Sequence, residues 1–236
     1  MNESVKTEMS RLRVNAALDT TTLTSTSEQL VLGFQNTRSL HKHYEDIKSH
    51  FLVDKYSVLG LAETKLRASD ENKYSITGFS LLRQDYPVSQ NNPTRPPYGL
   101  AVYHKQENLQ LVSAFSGNGK EYMIVTLPNI NLHIAFVYIS PKHSSLANAK
   151  KLIDHFLRKT PQSVSTIIMG DFNLHMASFE NHMRVKGFHQ LINEPTIDYH
   201  SVLDNIYTND PSRISSSGTL ESYHSDHKFI HAVVQK

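Results

Sequence analysis

The chain has 236 residues, 39% of them hydrophobic, enough for one large domain or two small ones with an ordinary core. It contains no cysteine, which excludes disulfides and thiolate metal sites and leaves oxygen and imidazole as the available metal ligands. With a formal net charge of only +2, no strong basic field announces a nucleic-acid binder, and the 14 histidines make that charge sensitive to mild acid.

Residues 1–28 read as a disordered tail. Thr20-Thr21-Thr22 and Thr24-Ser25-Thr26-Ser27 bury little surface, and Val14 to Leu18 offers one helical turn at most. Lys6, Arg11 and Arg13 precede no compact apolar segment, so a secretory signal is not expected. No run approaches the ~20 apolar residues of a membrane span. The expected setting is nucleus or cytoplasm, with no membrane partner.

Gln29 to Phe34 reads as a first strand ending in Asn36-Thr37-Arg38-Ser39. Leu40, Tyr44, Ile47 and Phe51 then fall at the spacing of an amphipathic helix, with Ser39 its natural cap. Ser57 to Leu61 is a second strand, ending in Ala62-Glu63-Thr64. Strand, helix, strand implies two parallel neighbours, which places Asn36 and Glu63 at one edge of a sheet. Tyr74 to Arg83 turns at Gly78 into a strand. Pro87, Asn91, Asn92, Pro93, Pro96 and Pro97 mark an exposed loop. Gly99–His104, Leu109–Phe115, Tyr122–Leu127 and Leu132–Ile139 read as four successive strands of an antiparallel meander. Ser144 to Leu157 is a second helix, stopped by Pro161.

Ile167-Ile168-Met169-Gly170-Asp171-Phe172-Asn173 organises the rest. A short apolar run is a buried strand, and residues i and i+2 of extended backbone face one side. A carboxylate and an amide so placed hold a hydrated divalent cation or orient a water against a phosphate. Gly, Asp and Asn are also the commonest turn formers, so a plain turn explains this motif alone equally well. Phe179 to Lys186 is a short helix closed by Gly187. Ser201 to Tyr207 is a strand carrying Asp204 and Asn205, Ser212 to Gly218 a serine-rich loop, and Phe229 to Val234 a last strand after Ser225-Asp226-His227. No repeat or linker divides residues 29–236, which read as one domain.

Asn36, Glu63, Tyr138, Asp171, Asn173, Asp204, Asp226 and His227 share one property: each lies at or near the end of an apolar strand. Eight such residues argue for a single rim where strand ends converge. At this point the chain resembles the endonuclease/exonuclease/phosphatase superfamily, metal-dependent phosphodiesterases related to apurinic endonucleases and DNase I. The matching pieces are Gln35 to Leu40, Leu61 to Thr64, Val137-Tyr138, Gly170 to Asn173 and Ser225 to His227, in the family's order. Asn36 to Leu40 and Ser201 to Tyr207 look most like the endonuclease domains of non-LTR retrotransposons, and similar domains are fused to some Helitron-type transposon helicases.

The resemblance implies a four-layered α/β sandwich of two packed mixed sheets with helices outside. It implies an enzyme: a Mg²⁺-dependent DNA endonuclease, with Mn²⁺ as a substitute, leaving nicks with 3′-hydroxyl ends. DNA is the implied partner, and the chain would be part of, or derived from, a larger mobile-element polyprotein. Position by position, it makes Glu63 the main metal ligand, with Asn36 helping to place metal and phosphate and Asp226 a second-layer or water-mediated metal partner. Asp171 would activate the attacking water and Asn173 touch a phosphate oxygen. His227, held in its tautomer by Asp204, would bond the scissile phosphate, and Tyr138 would donate to the phosphate or leaving oxygen. Arg38 joins Lys65, Arg67, Arg83, Arg95 and Lys142 as candidate DNA-phosphate contacts. Arg38 stands where many apurinic endonucleases carry an acid, which argues against abasic-site specificity, and Tyr98-Gly99 replaces a frequent glycine pair. The alternatives are a phosphatase of the same fold acting on phosphoinositides or nucleotides, and an inactive domesticated binding module.

Overall fold

The structure, a computed structural model, describes residues 28–50, 53–70, 73–87, 94–174, 177–197 and 201–236. The tail expected up to residue 28, with its helical turn, lies outside the described residues apart from Glu28, as do Phe51 of the first helical stripe and Asn91, Asn92 and Pro93 of the loop.

Two parallel strand pairs set the geometry. β1 (Gln29–Asn36) runs beside β2 (Val58–Ala62), joined by α1 (Leu40–Lys48), as the strand–helix–strand pattern implies. The Ser39 hydroxyl caps α1 by accepting the Lys42 N–H at 3.3 Å. These strands belong to a six-stranded sheet completed by β3 (Ser80–Gln84), β4 (Leu100–His104), β11 (Ile214–Leu220) and β12 (Phe229–Gln235), in the order β11-β12-β1-β2-β4-β3. The second sheet holds β5 (Gln110–Gly117), β6 (Lys120–Leu127), β7 (Leu132–Ile139), β8 (Ser165–Asp171), β9 (His189–Gln190) and β10 (Asp204–Thr208), ordered β5-β6-β7-β8-β10-β9. Here β7 and β8 are the parallel pair, linked by α2 (Leu146–Leu157).

Alternation along the strands explains the layers. Leu30, Leu32 and Phe34 of β1 face Met123, Ile134, Phe136 and Met169 of the second sheet and build the central layer. Val31, Leu59, Leu61 and Tyr103 face the other way, where Leu40 and Ile47 of α1 cover them. Tyr122, Ile124, Ala135 and Val137 face outward under Ala149, Ile153 and Phe156 of α2 and under Phe179 and Met183 of α3 (Ala177–Val185). The expected sandwich of two packed sheets with helices outside is therefore what forms. Gly170 lets β7 and β8 close up, because a Cβ there would lie 2.0 Å from the Val137 carbonyl oxygen.

Two expectations are corrected. Gly99–His104 does not open a four-strand meander. β4 is buried along its whole length between β2 and β3 in the first sheet, and the chain crosses to the second sheet before β5. Only β5, β6 and β7 form a meander. Ser212–Gly218 is not a loop, because residues 214–220 pair with β12 through a bulge after Ile214. Serine is a poor strand former in a core, but on an edge its small hydroxyls leave the ladder to the backbone and blunt further pairing.

Candidate active site

The strand polarity collects the site. The parallel pairs end together, so Asn36, Glu63, Tyr138 and Asp171 come to one rim. β10 and β12 run antiparallel to their neighbours, so it is their beginnings that arrive there: Asp204 lies opposite Asp171 in the ladder, and His227 precedes β12. All eight strand-end residues singled out from the sequence lie around this rim.

Four of them form one hydrogen-bonded chain across the two sheets. The Asn36 amide donates to Glu63 Oε1 at 3.1 Å and to Asp171 Oδ2 at 2.9 Å. Its carbonyl oxygen is taken by the Arg38 N–H at 3.0 Å, which fixes the amide's orientation. The Tyr138 hydroxyl donates to Glu63 Oε1 at 3.0 Å. Glu63 Oε1 is therefore doubly bound, and Oε2 faces the Lys65 ammonium at 3.2 Å. Asp171 and Tyr138 are fully buried. Burial, and then the neighbouring Asp204, push the Asp171 carboxyl upward; burial, and then Glu63, raise the Tyr138 phenol.

Beside this chain sits a charged pair. His227 Nδ1 meets Asp204 Oδ2 at 2.9 Å, and both residues are buried. Burial by itself would lower the imidazole, but Asp204, then Asp171 and Asp226, reverse that and bring it up to about 9. Asp171, Asp204 and His227 place ligand-type atoms within 4.8 Å of one another. His227 bonds Asp204, and Asp171 acts on the ring through its charge. Asp204 Oδ1 is buried with no hydrogen-bond partner among the described residues, which leaves net negative potential beside the pair.

The remaining predicted residues frame the rim. Asn173 N–H donates to Asp171 Oδ1 at 3.0 Å and its side-chain amide to the Ile139 carbonyl at 2.9 Å, which leaves one amide hydrogen for another acceptor. Asp226 is held by Arg38 in a two-point ion pair, Nε to Oδ1 at 2.8 Å. Arg38 is half exposed. Of the other candidate phosphate contacts, Arg83 bonds Asp85 and the Arg67 carbonyl, and Arg95 bonds Asp70 and the Lys65 carbonyl. They brace the loops beside Glu63. Arg38, Glu63, Lys65 and Asn173 all take positive φ, a strained backbone for side chains with a Cβ and one that marks functional sites.

Three supporting residues escaped the sequence reading. The Thr196 hydroxyl accepts the N–H groups of Leu203 and Asp204, both at 3.0 Å, and its carbonyl accepts Lys228 N–H, so it staples Asp204 to the His227 segment. Gln35 donates to the His227 carbonyl at 2.9 Å. Glu121 is fully buried next to Tyr138. Only Gln35 carried a signal, lying one residue before Asn36 in the quoted motif.

The donor set fits a hard divalent cation. It offers carboxylate oxygens without sulfur, and an ammonium already lies against Glu63 Oε2.

The family model described as the endonuclease/exonuclease/phosphatase family matches residues 31–227, and the chain belongs to that family. No curated protein matches its sequence. Among solved structures, it is similar to the AP endonuclease LMAP of Leishmania major (TM-score 0.67, 13% identity, 92% of this chain and 91% of that one). It is also similar to the human nocturnin catalytic domain with bound sulfate (TM-score 0.63, 13% identity, 89% and 94%). A third is a humanized Danio rerio TDP2 (TM-score 0.64, 14% identity, 89% and 100%). At such identities the likeness shows the fold alone. Among the described residues, no helix is long and apolar enough to cross a membrane.

Proposed function

We propose that the chain is a Mg²⁺-dependent phosphodiesterase, replaceable by Mn²⁺, that nicks DNA and leaves 3′-hydroxyl ends. The carrying observation is the convergence of Glu63, Asn36, Asp171 and Tyr138 in one hydrogen-bonded chain beside the His227–Asp204 pair. Hydrolysis of a phosphodiester requires positive charge against the phosphate, a directed water and a donor for the departing oxygen, and these residue types supply each requirement.

Glu63 would ligate the cation through Oε2, with Lys65 giving way. Asn36 would hold that carboxylate in place, and Asp226 would join through water if Arg38 released it to the DNA. A bound Mg²⁺ would supply charge against the phosphate and the departing oxygen. Asp171, raised by burial, would take the proton of the attacking water while Asn36 fixes its second oxygen. His227, kept protonated by Asp204, would donate to a phosphate oxygen, as would the unused amide hydrogen of Asn173. Tyr138 would donate to the phosphate or the leaving oxygen. Arg38 would bind a flanking phosphate. The Asn36–Leu40 and Ser201–Tyr207 segments support a mobile-element endonuclease as the particular type.

Supercoiled plasmid incubated with protein and Mg²⁺ tests the reading. Nicked circles whose ends accept polymerase extension are expected, with none in EDTA and none for Asp171→Ala. Equal nicking by Asp171→Ala would remove the assigned site. Turnover of phosphorylated small molecules without nicking would overturn the substrate.

A further inference from the structure

Glu63 leaves β2 on a strained loop, with Glu63 at φ 50° and Lys65 at φ 55°. Two backbone bonds hold that loop to the chain entering β4: Thr64 N–H to the Gly99 carbonyl at 3.1 Å, and Lys65 N–H to the Tyr98 carbonyl at 3.0 Å. Gly99 has φ 120°, and a Cβ there would lie 2.5 Å from the Thr64 hydroxyl, so glycine is required for the approach. The Gly99 N–H is in turn bonded at 2.8 Å by a side chain from the other sheet, Glu121 Oε2 on β6. Glu121 Oε1 accepts the Ser116 hydroxyl at 2.5 Å, so both carboxyl oxygens are used. Glu121 pairs across the ladder with Tyr138, whose hydroxyl reaches Glu63 directly.

We propose that Glu121 is a positioning residue that clasps the 98–99 segment and thereby holds the Glu63 carboxylate at the bond distance of Tyr138 and Asn36. This rests on the reading of Glu63 as the metal ligand. The second sheet thus reaches Glu63 twice, once through Tyr138 to the side chain and once through Glu121 to the backbone. A fully buried carboxyl is costly unless its bonds have a use, and burial does push this one up to about 7. Nothing in the reaction needs Glu121 as an acid or a base. What it supplies is one acceptor for the Gly99 N–H, steadied by the Ser116 hydroxyl on its other oxygen.

Three variants separate positioning from packing. Glu121→Gln keeps length and an acceptor for Gly99. Glu121→Asp keeps charge but falls short of Gly99. Glu121→Leu removes every polar atom. The first readout is backbone hydrogen exchange in peptides spanning Glu63–Lys65, which needs neither metal nor substrate. The second is Mn²⁺ affinity by calorimetry. Glu121→Asp and Glu121→Leu should exchange the Thr64 and Lys65 amides about tenfold faster or more, while the β8 amides stay protected, and should weaken Mn²⁺ binding by a similar factor; Glu121→Gln should match the parent in both. Unchanged exchange at Thr64 and Lys65 in the Asp variant would overturn the proposal, and so would a Gln variant as loose as the Leu variant. Should the Leu variant fail to fold, the Asp and Gln pair still decides. A parent protein that clasps its loop yet nicks no DNA would instead count against the assigned substrate alone.

Discussion

The His227–Asp204 pair makes the sharpest quantitative prediction. In metal-free protein the imidazole stands at about 9 against an ordinary 6.5, because Asp204 and Asp171 outweigh burial. At about 1.4 kcal/mol per pH unit, that interval corresponds to ~3 kcal/mol of folded-state preference for the proton. A group whose folded value lies above its unfolded one stabilises the fold fully below pH 6.5. That contribution is lost as pH climbs through about 9. Asp204→Asn keeps the shape and an acceptor but removes the charge that raises the imidazole most, so burial counts for more and the imidazole should fall well below its parent value. Histidine ring resonances followed by NMR against pH, in EDTA, read the value directly, and urea melts at pH 6 and pH 9 read the linkage. Both proteins should lose stability between those pH values as Glu121 ionises, and the parent should lose clearly more than Asp204→Asn. Ring resonances that titrate near 6.5 in both proteins would refute this account of the pair. Under turnover conditions the same variant should lose about two to three powers of ten in rate.

Tyr138→Phe removes one bond to Glu63, so it should cost about 1 kcal/mol in urea melts yet lower kcat roughly ten- to a hundredfold; an unchanged kcat would take the hydroxyl out of the reaction. Lys65→Ala removes the ammonium from Glu63 Oε2, and divalent affinity measured by calorimetry should rise severalfold; a fall would mean that Lys65 assists the cation. Gly170→Ala forces a methyl against the Val137 carbonyl, which should cost at least about 3 kcal/mol or abolish folding; a melt within ~1 kcal/mol of the parent would contradict the β7–β8 register. Arg38→Ala breaks a half-exposed ion pair, so stability should move by less than ~1 kcal/mol while the KM for DNA rises; an unchanged KM would leave Arg38 a partner of Asp226 only.

The rim was legible because its residues follow apolar runs. The polarity of one strand–helix–strand unit was enough to join Asn36 and Glu63, while Tyr138 and Asp171 stood out as strand ends and by their place in the family's motifs. The partition into sheets was not legible. β4 and β5 have similar strand patterns, and nothing local marks the crossing between them. The serines of β11 read as loop because pairing at an edge is decided by the backbone of β12, which side-chain pattern does not report. Glu121 and Thr196 act through hydrogen bonds to backbone outside their own segments, Gly99 and Asp204 respectively. Such bonds have no periodicity to betray them, and a charged residue at the start of a strand looks like solvated surface until the other sheet is laid over it.

On the proposed function, one cation sits at Glu63 rather than between Asp171, Asp204 and His227. Anomalous scattering from crystals soaked in Mn²⁺ at neutral pH tests this most directly. A peak within coordination distance of Glu63 Oε2, with the His227–Asp204 bond intact, is the result expected. A peak ligated by the His227 ring, or none in crystals of protein that nicks DNA with Mn²⁺, would contradict it.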